Sequence, residues 1–158
     1  MRSKKAPLRT IKADGRYGSV RIAKFINYVM VDGKKSIAAT IVYRTLDQVA
    51  KETKKKPLEV FDEAIANITP EMEVRSRRVG GAAYQVPMPL KPRRGFALAL
   101  RWLVEEANRR PNKQHHSFEE KLTAEMLDAI NNTGGAVGRK ETSHRNAEAN
   151  KAFSHFRW

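Results

Sequence analysis

Residues 74–95 read VRSRRVGGAAYQVPMPLKPRRG, and the reading of this stretch decides the fold. Gly80-Gly81 suits the positive φ angles of a two-residue hairpin turn, and the flanks, Val74 to Val79 and Ala82 to Met88, carry residues suited to strands. With so tight a turn, Arg77 lies opposite Tyr84 and Arg75 opposite Val86 on one face, while Arg78 faces Ala83 on the other. Both faces then carry arginine. A hairpin buried on one side would not, so the ribbon is expected to stand out from the body. Two-stranded ribbons are only marginally stable in water, and this one is expected to gain order from what it grips. Guanidinium groups offer paired donors to phosphate and a plane for stacking on bases. Pro87 and Pro89 lack N–H donors and discourage edge-to-edge pairing at the ribbon's base.

Outward from the ribbon the chain reads as helices. Ser19 suits the N-cap of a first helix through Val29, in which Ile22, Phe25, Ile26 and Val29 recur at helical spacing while Arg21 and Lys24 point elsewhere, and the turn Asp32-Gly33 follows. A second helix, from about Lys35 to Lys51, presents Ile37, Ile41, Val42, Leu46 and Val49. Lys34 and Lys35 sit at its positive dipole end, a misfit that a bound anion would relieve. Pro57 suits the first turn of a third helix, with Leu58, Phe61, Ile65 and Ile68 inward until Thr69-Pro70 stops it. Pro92 starts a fourth, with Phe96, Ala99, Leu100, Leu103 and Ala107 on its apolar face, Trp102 at the core's edge and Arg109-Arg110-Pro111 at its close. Lys91, Arg93 and Arg94 extend the basic patch at that helix start. Ser117 and Glu120 form a capping box ahead of Leu122, Met126, Ala129 and Ile130 in a fifth helix, which Asn131 to Gly135 ends.

The two ends of the chain differ from this body. Residues 1–18 form a basic arm, with Arg2, Lys4, Lys5, Arg9, Lys12 and Arg16 opposed only by Asp14, too poor in large apolar side chains to fold alone. Residues 136–158 are helix-compatible from about Glu141 but polar nearly all round, so a helix there needs another surface to hold it. No internal repeat or second core is visible. The expected architecture is mainly α: a single-domain helical bundle spanning 1–158, of about five or six helices, with one β-hairpin (74–88) protruding between the third and fourth.

A formal net charge of +14 on 158 residues opposes compaction and points to a polyanionic partner. An anionic membrane would call for a broad basic amphipathic helix or a long apolar run, and the sequence has neither, so the partner is expected to be nucleic acid and no membrane. There is no cysteine, hence no disulfide framework, thiolate nucleophile or cysteine zinc site. The opening residues lack a secretory signal's apolar core, which suits the cytoplasm ahead of an organelle matrix. Gly134 to Thr142, GGAVGRKET, breaks the phosphate-loop spacing, and adjacent His115-His116 cannot share one helix face for a metal. His144 and His155 read as RNA-contacting or surface groups. Glu105-Glu106 and Glu119-Glu120 have the pattern of a solvated helix face rather than of a paired acid and base. No catalytic residue, metal or cofactor is expected. Trp158, beside Arg157, suits stacking on a base or docking on a neighbouring protein.

Read together, YGS and AKFIN within Tyr17 to Asn27, DGKKSIA and IVY within Asp32 to Tyr43, RRVGGAAYQVPM at Arg77 to Met88, RRGFALALRW at Arg93 to Trp102, and AEANKAF with the final RW closely resemble the bacterial-type small ribosomal subunit protein seven family. The resemblance implies a non-catalytic component of the small-subunit head that binds the 3′ major domain of small-subunit rRNA and nucleates assembly of the head. It also implies a ribbon near the exit-site tRNA and the mRNA exit path, and neighbouring small-subunit ribosomal proteins as partners. Carried onto this sequence, the RNA ligands are Lys34, Lys35, Arg75, Arg77, Arg78, Arg93 and Arg94, with Lys4, Lys5 and Arg9 of the arm; Tyr84 and Lys91 join them from the reading of the ribbon and its exit. The alternative is a free architectural DNA-binding protein whose ribbon enters a groove.

Five positions depart from the family pattern. Ala13-Asp14-Gly15 replaces a familiar Pro-Asp-Pro, which is expected to loosen the joint between arm and body. Pro89 stands where an acidic residue is common, Gly138 where a basic one is, and Asn146 where methionine is usual, so the tail loses both a cation and an apolar anchor.

Overall fold

The computed structural model describes Ala6 and residues 9–157; Lys4, Lys5 and Trp158, each singled out above, lie outside the described residues. Among the described residues, six α-helices and one closing 3-10 helix surround a single hairpin: α1 (Val20–Val29), α2 (Lys35–Thr53), α3 (Pro57–Ile68), β1 (Met72–Val79), β2 (Ala82–Pro89), α4 (Pro92–Arg109), α5 (Phe118–Ile130), α6 (Gly134–Ala149) and the 3-10 helix Lys151–Phe156. The mainly helical expectation, with its hairpin between the third and fourth helices, holds.

The apolar stripes read from the sequence meet in one cluster. Phe25, Val42, Leu46, Val49, Phe61, Leu100, Leu103, Leu122 and Met126 are fully buried in it, with Trp102 packed at its edge. Phe25 and Phe61 stack with centroids 5.4 Å apart, which ties α1 to α3. Pro57 and Pro92 open their helices, where a missing N–H costs nothing.

Two stripe positions differ from expectation. Ile37 is 56% exposed and Leu58 37% exposed. Both sit in the first turn of their helices and stay open to solvent, so helical spacing alone misassigns them; Ala38, Thr45, Val60 and Ala64 are buried on these helices instead. Ser19 occupies the N-cap of α1 without donating or accepting a side-chain capping bond. Ser117 does cap α5, accepting the Glu120 N–H at 3.2 Å, but the Glu120 carboxylate answers the N–H of His116 at 2.9 Å.

α6 begins at Gly134, well before Glu141. Gly134 has φ +89°, and a Cβ on Gly135 would come within 2.8 Å of the Glu106 carboxylate, so the glycines allow this helix to start pressed against α4 rather than ending α5 in a free loop. With few apolar side chains, α6 is held largely by polar contacts. Glu125 of α5, only 2% exposed, accepts the N–H of Ala136 at 2.8 Å and pairs with Arg110 at 2.6 Å. Arg139 pairs with Glu105 and, at 2.5 Å, with Glu106, so these glutamates are docking groups rather than a solvated face. His144 likewise accepts the Glu71 N–H at 3.0 Å and holds α6 to the entry of β1.

Candidate nucleic-acid interface

The hairpin has the predicted register: Arg75↔Val86, Arg77↔Tyr84 and Arg78↔Ala83, closed by Gly80 and Gly81 with φ +57° and +90°. Two positive φ angles in succession are what a turn matching strand twist requires. The ribbon is less free-standing than its sequence suggests. Val86 is fully buried, and Tyr84 rests against Phe153 and Phe156 of the 3-10 helix, with centroids 5.2 and 5.3 Å away. Arg157 Nε donates to the Pro87 carbonyl at 2.6 Å, and Ser143 Oγ to that of Met72 at 3.0 Å. The C-terminal segment therefore supplies the second surface that the polar tail needed, and Tyr84 is an internal anchor in this conformation.

At the ribbon's base, Glu73 is nearly buried and receives two arginines. Arg75 pairs with it at 2.5 Å and Arg94, from the first turn of α4, at 2.6 Å. Both arginines, expected above as RNA ligands, are thus also engaged by a carboxylate of the protein itself. Each remains about half exposed, at 50% and 53%, and one carboxylate cannot neutralise two guanidinium groups. The pairing fixes the ribbon's direction relative to α4 and leaves net positive charge at the joint.

Lys34, Lys35, Arg78, Lys91 and Arg93 are exposed and Arg77 partly so. Among the described residues none of the six has a carboxylate within 4.0 Å. Lys34 is the N-cap of α2 and Lys91 that of α4, and neither helix carries an acid in its first turn, so both positive dipole ends face outward uncompensated.

These cations form a connected band. Tyr28 borders both the groove that contains Lys34 and the cleft that contains Lys24 and Arg93. Arg94 follows Arg93 and meets Arg75 across Glu73, and Arg77 and Arg78 continue toward the turn. Arg9 is exposed on the arm, whose Ile11 lines the same cleft as Arg93. Lys24, read from the sequence as pointing away from the core stripe of α1, joins the band through its i, i+3, i+4 relation to Asn27 and Tyr28.

The arm's root is firmly held. Asp14 accepts the N–H groups of Arg16 and Tyr17 at 3.1 and 2.9 Å and the Tyr43 hydroxyl, while Arg16 forms a forked pair with Asp47 at 3.0 Å. Ala13 and Gly15 flank Asp14 in place of the two prolines, and in this chain the Asp14 carboxylate fastens the joint through these bonds. Burial works against the Asp14 charge, yet the Tyr43 hydroxyl and the backbone donors outweigh it and hold the carboxyl below its ordinary pKa.

Among the described residues no group of three or more His, Cys, Asp or Glu side chains is placed to hold a metal, and no helix is long and apolar enough to cross a membrane. A helical body whose carboxylates largely serve its own joints while a band of cations faces outward defines a polyanion-binding scaffold. Comparison with known proteins gives that class a lineage. The sequence model of the family described as ribosomal protein S7p/S5e matches residues 1–151, and the chain belongs to that family. Small ribosomal subunit protein uS7 of Caldanaerobacter subterraneus subsp. tengcongensis is 55% identical over 152 residues, covering 96% of each chain. The uS7 of Sphingopyxis alaskensis is 52% identical over 157 residues, 99% of each, and that of Teredinibacter turnerae 55% over 150 residues, 95% of this chain and 94% of the relative. The chain is accordingly a structural, non-enzymatic protein of the small ribosomal subunit, with ribosomal RNA and other ribosomal proteins as its setting.

Proposed function

We propose that this chain binds the 3′ major domain of small-subunit rRNA, nucleates assembly of the subunit head, and extends its ribbon toward the exit-site tRNA and the mRNA exit path. The observation that carries the reading is the connected band of cations running from Lys34 and Lys35 through Arg93 and the Glu73-bridged Arg94 and Arg75 to Arg77 and Arg78, of which Lys34, Lys35, Arg93, Arg77 and Arg78 have no carboxylate partner among the described residues. Its mechanism is recognition of shape and phosphate: lysines and arginines held at helix starts and along the ribbon replace counterions over a folded RNA junction. The Asp14 clamp aims the arm, and the Glu73 bridge aims the ribbon, so both extensions meet RNA partly preorganised.

Binding of the full chain to a transcribed 3′ major domain, followed across salt concentrations, tests this. Neutralising about six to ten phosphates lowers affinity by about a thousandfold or more between about 50 and about 200 mM salt. A salt-insensitive complex, or duplex DNA winning against the folded RNA at equal nucleotide concentration, overturns the reading.

A further inference from the structure

A cleft of about 220 Å³ lies between α1 and α4, with Ile11 of the arm on one side. Each helix gives it one i, i+3, i+4 triplet, the spacing that sets three side chains on a common face: Lys24, Asn27 and Tyr28 from α1, and Arg93, Phe96 and Ala97 from α4. Tyr28 and Phe96 are both partly exposed at the margin of the core rather than sealed within it. Phe96 already attracts cations, with Lys24 Nζ 5.7 Å and the Arg21 guanidinium 5.0 Å from its ring centroid. Arg21 is tied to Asp62 at 2.8 Å, whereas Lys24 and Arg93 have no carboxylate partner among the described residues.

We propose that this cleft takes one unstacked nucleotide of the bound RNA, its base against Tyr28 and Phe96, its edge within reach of the Asn27 amide, and its phosphate neutralised by Lys24 and Arg93. The inference rests on the RNA-binding reading above and adds a specific receptacle to it. The chemistry of the lining selects the ligand class. Aromatic faces offer stacking, an amide offers one donor and one acceptor edge, and two unpaired cations offer charge for a phosphate, which is the combination by which proteins hold splayed-out bases of single-stranded RNA. An apolar peptide would leave Lys24, Arg93 and Asn27 without use. The arm takes part through Ile11, so its fastening at Asp14 also helps to shape the cleft.

The test uses the full chain with the transcribed 3′ major domain. Ala97→Met fills the cleft without removing a charge, and Asn27→Ala removes the edge contact. Stacking on an aromatic side chain is typically strong enough that Ala97→Met should weaken binding by about five- to a hundredfold, with the slope of log affinity against log salt unchanged. Asn27→Ala should weaken it by a smaller factor. Ultraviolet crosslinking of the wild-type complex should attach a nucleotide to the peptide containing Tyr28 or Phe96, and Ala97→Met should abolish that product. Helicity and melting of both variants are followed alongside; if Ala97→Met fails to fold, Asn27→Ala and the crosslink decide. Tight, salt-dependent binding with no crosslink at either aromatic and no loss in a folded variant overturns the receptacle and leaves the cationic band standing. Binding without salt dependence removes both.

Discussion

The hydroxyl of Tyr43, on α2, donates to the carboxylate of Asp14 at the root of the basic arm, and each group alters the other's ionisation. The bond to Asp14, aided by burial, pushes the Tyr43 hydroxyl up to about 12, while Asp14 is held below its usual value despite its own burial. Tyr17 stands edge-on to Tyr43 at 5.9 Å, and Arg16 lies 5.3 Å from both ring centroids. The arm leaves the body from a fastened point.

Tyr43→Phe should therefore destabilise the fold by about 1–3 kcal/mol, since it leaves a largely buried carboxylate short of a donor. The pH dependence follows from the two directions. A depressed carboxyl contributes stability that is present above its unfolded pKa of about 4 and lost as pH falls through its folded value. A raised tyrosine contributes stability present below its unfolded value of about 10 and lost as pH rises through the folded one. The gap between wild type and variant should be widest between about pH 5 and about pH 9 and narrow at both extremes. Melting curves across pH measure it; a gap that persists unchanged in strong acid contradicts the assignment.

Arg110→Ala should be the most damaging single change of a cation. Burial disfavours its charge, but Asp128 and Glu125 keep it above its ordinary pKa, and Glu125 also receives the Ala136 amide in the first turn of α6. Removing one partner of a buried pair typically costs about 3–5 kcal/mol because the other charge stays behind. Denaturant unfolding reads this directly. Lys35→Ala, at an exposed position with no carboxylate partner among the described residues, should change stability by less than about 0.5 kcal/mol.

The contrast between Arg110 and Lys35 shows what was legible in the sequence. The stripes of α1, α4 and α5, that of α3 apart from Leu58, the proline starts, the Gly-Gly turn and the strand register are local patterns, and the structure keeps them. α6 has no such stripe. Its place depends on Arg139 reaching Glu105 and Glu106 and on Glu125 meeting Ala136, contacts between residues far apart in sequence that no window along the chain reveals. The band of cations was readable as composition at helix starts and on the ribbon, but Glu73 joining Arg75 to Arg94 was not. Ile37 failed for a related reason: periodicity identifies an apolar face without saying where the neighbouring helices stop covering it.

Phe153→Ala combined with Phe156→Ala should loosen the ribbon without unfolding the helices. Tyr84 loses both aromatic neighbours, while the core beneath α2, α4 and α5 is untouched. Amide hydrogen exchange should speed up in β1 and β2 by about tenfold or more, with protection in α4 and α5 retained. Equal acceleration in α5 would mean that the C-terminal segment supports the whole body rather than the ribbon.

Charge reversal at the ribbon separates recognition from folding. Arg77 and Arg78 have no carboxylate partner among the described residues, and they stand in the strand nearer the turn than the Glu73 bridge. Arg77→Glu with Arg78→Glu should leave melting within about 1 kcal/mol of wild type, because exposed substitutions seldom cost more. The same pair should weaken binding to the 3′ major domain and reduce the salt slope by about one for each phosphate that is no longer neutralised. Reversing charge adds repulsion, so the affinity loss should exceed that of the corresponding alanines. The alanine pair measures what the two guanidinium groups contribute by attraction, and the difference between the two pairs measures the repulsion. Melting that falls further than affinity would show that the two arginines support the fold.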